Sequence, residues 1–399
     1  MATVDISPFI PYKRLLEPLT MSGLQALKKI SFKQKLHALR TKHIREKKQK
    51  NRPSAERNSG LTQQAKEKFT TVRSRLPDIN LDFEKRESFA CFLPPKDFSF
   101  SRNYRETLTF MMDFRRLFAE RRAHLFPDGI RRKVYAEFAD IERIGPGAGL
   151  VLAAEIHRHA QDRGGRVRVH DQHWSEEVRS FFMDQGLFEL LEIDPNSISS
   201  KPSSSALRQT LKYASGKTSS GRDARELLNR LQALAGQSIG TRSTVYGAIA
   251  EALANVSHAY PAWFCSWPYR ASRRWWASGF WEPTSKTVGL QLYDQGAGIP
   301  ATLPRQTQYP RLLKMFDPER NDAGLIAAAM EYGRTSTGRA GRGKGLAEMA
   351  DWIEISGSGF LRILSGSGEV TYRPGRRLER RKFDAPFSGT LVQWELTLG

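Results

Sequence analysis

Three short groups of residues between 251 and 346 carry types and spacings from which chemistry is built. In the first, Glu251-Ala-Leu-Ala-Asn255-Val-Ser-His258-Ala259, an acid and an amide stand four residues apart, with a histidine seven from the acid. At helical spacing all three fall near one face. The Asn255 amide oxygen is a hard, neutral ligand suited to magnesium, an ion that keeps several waters and bridges to phosphates. Glu251, one turn earlier, is placed to polarise a water or a hydroxyl as general base.

The second group is Asp294-Gln-Gly296-Ala-Gly298-Ile299-Pro300. An Asp at a strand end can accept a hydrogen bond from the exocyclic amino group of adenine. Glycines, having no Cβ, let the backbone approach the ring closely. The third is Gly341-Arg342-Gly343-Lys344-Gly345-Leu346. Backbone amides at a helix start, with Lys344 among them, form a cradle for anions. Gly345 stands where the phosphate loop with Gly-Lys-Ser/Thr would carry its hydroxyl, so this is a different turn. Each group alone has an ordinary alternative: a solvated Glu with a core His, a hairpin turn, a basic surface turn. Their joint order points to ATP with a divalent ion.

The elements that must position these residues are legible. Val245 to Tyr260 is rich in Ala and Leu and free of Gly and Pro after Gly247, which predicts a helix. Thr287 to Tyr293 alternates and predicts a strand running into Asp294. Leu346 to Trp352 predicts an amphipathic helix.

This order of motifs resembles the GHKL superfamily of gyrase-type topoisomerases, mismatch-repair ATPases, histidine kinases and anti-sigma-factor serine kinases, over about residues 222–399. The resemblance implies a C-terminal α/β sandwich of the Bergerat type. It also implies Asn255 as magnesium ligand, Glu251 as base in members that hydrolyse ATP, and Asp294 as adenine reader with Gly296 and Gly298. The phosphate turn would run through Gly341, Gly343, Lys344, Gly345 and Leu346. Gly389-Thr390 looks like the family's closing Gly-Thr pair near adenine, and residues 300–341 occupy the place of its mobile ATP lid. Kinase members put three residues between Asn and His, whereas here there are two; the departure touches His258 and leaves Asn255 unaffected.

Ahead of this module, residues 88–195 read as a small α/β unit. Helices are predicted at Tyr104 to His124, Leu150 to Gln161 and Glu176 to Gln185, and strands at Lys133 to Phe138 and Arg166 to His170. Asp140-Ile-Glu-Arg-Ile144-Gly-Pro-Gly-Ala-Gly149 and Gly186-Leu-Phe-Glu-Leu-Leu191 look like the STAS fold of anti-sigma-factor antagonists. Phosphorylated members carry a Ser near that loop; Ile144 to Ala148 has neither Ser nor Thr. Residues 66–87 read as a charged linker, and 196–221, rich in Ser, as a second linker. Phe360–Leu364 and Glu369–Tyr372 read as a hairpin. Trp263, Trp267, Trp275, Trp276 and Trp281, among Arg270, Arg273 and Arg274, fit packed strands better than a base-stacking surface.

Charge is the outstanding compositional feature, with 63 Lys and Arg against 42 Asp and Glu, net +21. Residues 1–65 read as a basic, largely disordered arm. Its first 60 residues hold 14 Lys/Arg against 4 Asp/Glu, which suits contact with nucleic acid or another polyanion. Two cysteines, Cys91 and Cys265, give no disulfide framework and fit a cytoplasmic setting. Apolar stretches are too short for a membrane span. Three functions follow as expectations. One is a Mg-ATP-binding regulatory protein acting on a protein partner. Another is a nucleic-acid-associated ATPase in which ATP closes a homodimer. The last is an anti-sigma-type serine kinase. A sensor histidine kinase fits least, since His37 and His43 lack a dimerisation seam and His157 and His159 fall in the α/β unit.

Overall fold

The computed structural model describes residues 3–5, 89–92, 94–119, 133–162, 168–170, 174–194, 208–217, 220–261, 264, 272–307, 309–316, 321–335 and 345–398. The residues of the basic arm beyond Asp5 therefore lie outside the description, as do Gly341, Gly343 and Lys344.

The N-terminal unit contains β1 (Thr3–Asp5), β2 (Phe89–Phe92), β3 (Asp97–Phe98), α1 (Tyr104–Ala119), β4 (Lys133–Glu137), β5 (Arg143–Ile144), α2 (Pro146–Asp162), β6 (Arg168–His170), α3 (Glu176–Asp184) and α4 (Leu187–Leu190). Four strands pair in the order β2-β4-β1-β6, with β2 parallel to β4 and β1 antiparallel to both neighbours. Residues 3–5 were expected in a disordered arm, yet they sit inside this sheet. Their partners lie at least 128 residues away, so no local pattern announces the pairing. Ser175 starts α3 by accepting from the Val178 N–H, and its first turn carries Glu176 and Glu177, which suit a helix N-terminus.

The second unit is a fully antiparallel five-stranded sheet with its helices. Its elements are β7 (Gln209–Gly216), α5 (Gly221–Ala235), α6 (Arg242–His258), β8 (Trp275–Glu282), β9 (Thr287–Asp294), α7 (Ile299–Thr302), α8 (Tyr309–Phe316), α9 (Asp322–Thr335), α10 (Gly345–Ser356), β10 (Phe360–Tyr372) and β11 (Glu379–Thr397). The strand order is β10-β11-β9-β8-β7. A capping box between Ser220 and Asp223 starts α5, and Gly236 ends it in a left-handed conformation. Its buried residues Ala224, Leu227, Leu228 and Leu231 recur at helical spacing and form one apolar stripe.

Two expectations about this unit are corrected. Residues 209–216 are not linker but the edge strand β7, antiparallel to β8. The segment 359–373 is not a hairpin but one strand, β10, paired throughout with β11. Ser365-Gly-Ser-Gly resembles a tight turn, but its glycines serve an irregularity in register between Ser365 and Gly368. A Cβ on Gly366 or Gly368 would collide with the start of α9 at Asp322 and Ala323.

Both faces of the sheet are covered. Leu211, Ala277, Leu290, Leu292, Leu361, Ile363, Val392 and Trp394 pack with α5, α6, α9 and α10. Trp276, Tyr293, Leu364, Phe387 and Leu391 belong instead to a core shared with α1, α2 and α3 of the N-terminal unit. Alternate residues of one strand thus serve two cores, which explains why β8 and β9 are buried along nearly their whole length. Gly147 in the first turn of α2 lets the helix come close: a Cβ there would lie 2.8 Å from Gln393 Nε2. The Trp residues of β8 are buried, so this part of the Trp–Arg cluster is a packed strand.

Candidate functional site

The site assembles at one end of the sheet, where β9 stops and α6 ends. Helix α6 forms because Val245 to Val256 is dominated by Ala, Leu and Ile. It buries Val245, Ala248, Ile249, Ala252, Leu253 and Val256. Glu251 and Asn255 are half-buried at the margin of that face, and His258 is exposed. Burial raises the Glu251 carboxyl pKa above its usual range, and the nearby charge of Glu348 on α10 raises it further. The shared core of α6 and α10 brings Glu251 near Glu348 in the first turn of α10.

The second motif is tied to the same helix end. The Ala297 N–H donates to Ala259 O at 2.8 Å, and the Gln295 N–H donates to the Tyr260 hydroxyl at 2.9 Å. A Cβ at Gly296 would run into Ala259, so this close approach requires glycine.

Asp294 closes β9 and is 6% exposed. Its Oδ1 accepts from the Gly296 N–H at 2.7 Å, while Oδ2 accepts from no described residue. Burial pushes its carboxyl up to about 7, although the Gly296 hydrogen bond pulls the other way. Across the sheet Asp294 faces Thr390 on β11 and Trp275 on β8. Gly389 has φ +91°, and a Cβ there would collide with the Asp294 carbonyl. The Gly-Thr pair therefore stands against the acid.

Ser365, at the irregularity of β10, is the residue that the sequence did not single out. Its hydroxyl donates to Gly389 O at 3.1 Å and accepts from the Ile299 N–H at 2.9 Å. It also lies 3.1 Å from Thr390 Oγ1. Ser365 thus ties the start of α7 to the Gly-Thr pair. Only a Ser within an apparent turn marked it, which is no signal.

Of the third motif, Gly345 opens α10 and Leu346 is half-buried between two apolar clusters. Gly345 stands at the positive end of the dipole of the 12-residue α10. Residues 300–341, where a lid was expected, hold among the described residues the rest of the short α7 and the helices α8 and α9. His157, weighed for a histidine kinase, is buried. It accepts from Trp276 Nε1 at 3.0 Å through Nδ1, and burial lowers its pKa to about 4 with help from Arg274.

A shallow cleft of about 400 Å³ lies elsewhere, lined by Arg225, Leu228, Arg242, Ser243 and Tyr246, none of them a motif residue. Among the described residues no cluster of three His, Cys, Asp or Glu side chains is arranged to hold a metal, and no helix is long and apolar enough to cross a membrane. No protein-family model matches the chain, and no curated protein matches it significantly.

Proposed function

We propose that the chain is a Mg-ATP-binding regulatory protein of the GHKL type, in which nucleotide occupancy sets a conformation that a protein partner senses. The observation that carries the reading is Asp294. A buried acid at a strand end has one oxygen that accepts from no described residue, with the Gly296 turn on one side and Gly389-Thr390 on the other. An adenine amino group is the complementary donor. Asn255 fits magnesium as a single neutral oxygen ligand, because that ion takes its remaining oxygens from water and phosphates. The ion would supply charge neutralisation for the phosphates. Glu251, whose carboxyl pKa burial and Glu348 raise above the usual range, is thereby a stronger base and suited to accept a proton from a water or a hydroxyl.

Purified protein with labelled ATP and magnesium tests this, with label followed into free phosphate, into the chain and into co-purified partners. Asp294→Asn should weaken ATP binding and Asn255→Ala should remove its magnesium dependence; unchanged affinity in both variants ends the reading. If ATP turns over, Glu251→Ala should slow it by about 100-fold or more while sparing binding.

A second reading, an ATPase associated with nucleic acid, draws support from basic charge outside the arm. Between Arg373 and Lys382 the turn joining β10 to β11, with the start of β11, carries five Arg and one Lys against Glu379. Arg376, Arg377 and Lys382 are exposed there and have no carboxylate partner among the described residues.

A further inference from the structure

The two residues that flank Asp294 both hang on one buried ion pair of the N-terminal unit. Tyr293 and Gln295 point away from the nucleotide side of the sheet, as strand alternation requires. Arg115 of α1 bonds Glu155 Oε1 of α2 through Nε at 2.7 Å and donates through a terminal nitrogen to the Tyr293 hydroxyl at 3.0 Å. The same Glu155 oxygen accepts from Gln295 Nε2 at 3.0 Å. Arg158 holds the other oxygen, Oε2, at 3.0 Å. Glu155 is fully buried, and Arg115 and Arg158 nearly so. Burial alone would raise the Glu155 carboxyl pKa; the two guanidinium groups overcome this and hold it below the usual range.

The links continue past the pair. The Tyr293 hydroxyl donates to Ser388 O at 3.0 Å, next to the Gly389 that abuts Asp294. Gln295 Oε1 accepts from the Ser272 N–H at 3.2 Å. Both ends of the Gln295 amide and its backbone N–H are therefore engaged. The acid in between has no such freedom to drift.

We infer that Arg115 and Glu155 are positioning residues for adenine recognition, so that the N-terminal unit completes the base-reading part of the site through Tyr293 and Gln295. This rests on the reading of Asp294 as adenine acceptor. The alternative is a buried pair that only holds two units together. The two differ in what they do to base discrimination. A site whose acid is held in place distinguishes ATP from inosine triphosphate, which differs in bearing an oxo group where ATP has the amino donor. A merely structural pair affects both nucleotides alike.

The test leaves the Arg115–Glu155–Arg158 ion pairs intact and cuts their links to Tyr293 and Gln295, together with the bonds those side chains make to Ser388 and Ser272, in the full chain carrying Tyr293→Phe and Gln295→Met. Circular dichroism and a thermal melt establish that it folds. A second variant, Gln295→Met alone, covers failure of the first. Titration of ATP and of inosine triphosphate, each with magnesium, is then compared with the wild type. The wild type should prefer ATP by about tenfold or more, the worth of a hydrogen bond to a charged acceptor. In the variants ATP affinity should fall by most of that factor while inosine triphosphate stays within about twofold. Equal weakening of both nucleotides, or no change in either, overturns the inference. A wild type that binds ATP without preferring it over inosine triphosphate overturns the adenine assignment of Asp294 and this inference together. A wild type that binds neither removes the ATP reading itself.

Discussion

The two faces of the five-stranded sheet are built from the same strands but on different terms. Toward the helices, Val288, Leu290 and Leu292 of β9, Leu361 and Ile363 of β10, and Val392, Trp394 and Leu396 of β11 make an apolar layer. Toward the N-terminal unit the alternate positions include Trp276, Tyr293, Leu364 and Leu391, where Tyr293 meets Arg115 and Trp276 meets His157, while Gln295 just past β9 meets Glu155. One face is held by area removed from water, which is tolerant of small shifts. The other adds to its apolar core directional bonds between buried polar groups, which fix geometry and are costly when half broken. Asp294 belongs by alternation to the first face, but its neighbours answer to the second.

The largest expected effect breaks the polar face. Glu155→Ala leaves Arg115 and Arg158 buried without their acid and should cost about 3–5 kcal/mol in a urea titration. Replacing Glu155, Arg115 and Arg158 together by apolar residues of similar volume should recover most of that loss, because no buried charge is then left over. A triple variant as unstable as Glu155→Ala would show that the directional bonds of this face contribute stability that apolar packing does not replace. On the helix face Leu290→Ala should cost about 2–5 kcal/mol, with no comparable rescue by charge removal.

A sharper contrast comes from pH. The Asp294 carboxyl has its folded pKa raised to about 7, so it contributes stability below its unfolded value of about 4 that is lost as pH rises through 7. His157 has its folded pKa lowered to about 4, so its contribution is present above about 6.5 and lost as pH falls toward 4. Between about pH 4 and 6.5 the two slopes oppose each other, each up to about 1.4 kcal/mol per pH unit. Relative to wild type, Asp294→Asn should make stability rise more steeply with pH there, and His157→Gln should make it fall. Urea midpoints across that range decide it, and parallel curves for all three proteins would refute both assignments.

The smallest effect on stability is expected at the arm. Deleting residues 23–57 should leave the unfolding midpoint unchanged, whereas deleting 1–60 also removes β1 and should lower it. Any polyanion binding that the first deletion removes should fall steeply with salt and depend little on sequence. A mobility shift at about 50 mM salt that is unchanged by the deletion transfers the interaction to the folded part, where Arg376, Arg377 and Lys382 are exposed.

What the sequence disclosed follows the range of the forces involved. Helix α6 and strand β9 were readable because Ala and Leu in one and alternation in the other act over neighbouring residues. Asp294 stood out because a strand end and two glycines lie within five positions. β10 was misread because glycines that accommodate α9 look locally like a turn. β7 was hidden in a Ser-rich stretch whose pairing with β8 is decided by burial, and β1 depends on partners far along the chain. The Glu155–Gln295 bond joins residues 140 apart and leaves no trace in either neighbourhood. The phosphate turn at Gly341, Gly343 and Lys344 stays a sequence expectation, since those residues lie outside the described structure.

The double covering of the sheet has a practical consequence for anyone who trims the chain to its C-terminal half. Residues 222–399 alone would lose β7 and the N-terminal unit at once. The edge of β8 would then be open, with Trp275-Trp-Ala-Ser-Gly-Phe-Trp281 running along it. Seven uncharged residues without proline, rich in aromatics, on an unpaired edge are a template for strand addition by other copies. Such a fragment should collect in insoluble aggregates, and a soluble version should begin before Gln209 and bring the Glu155 helix with it.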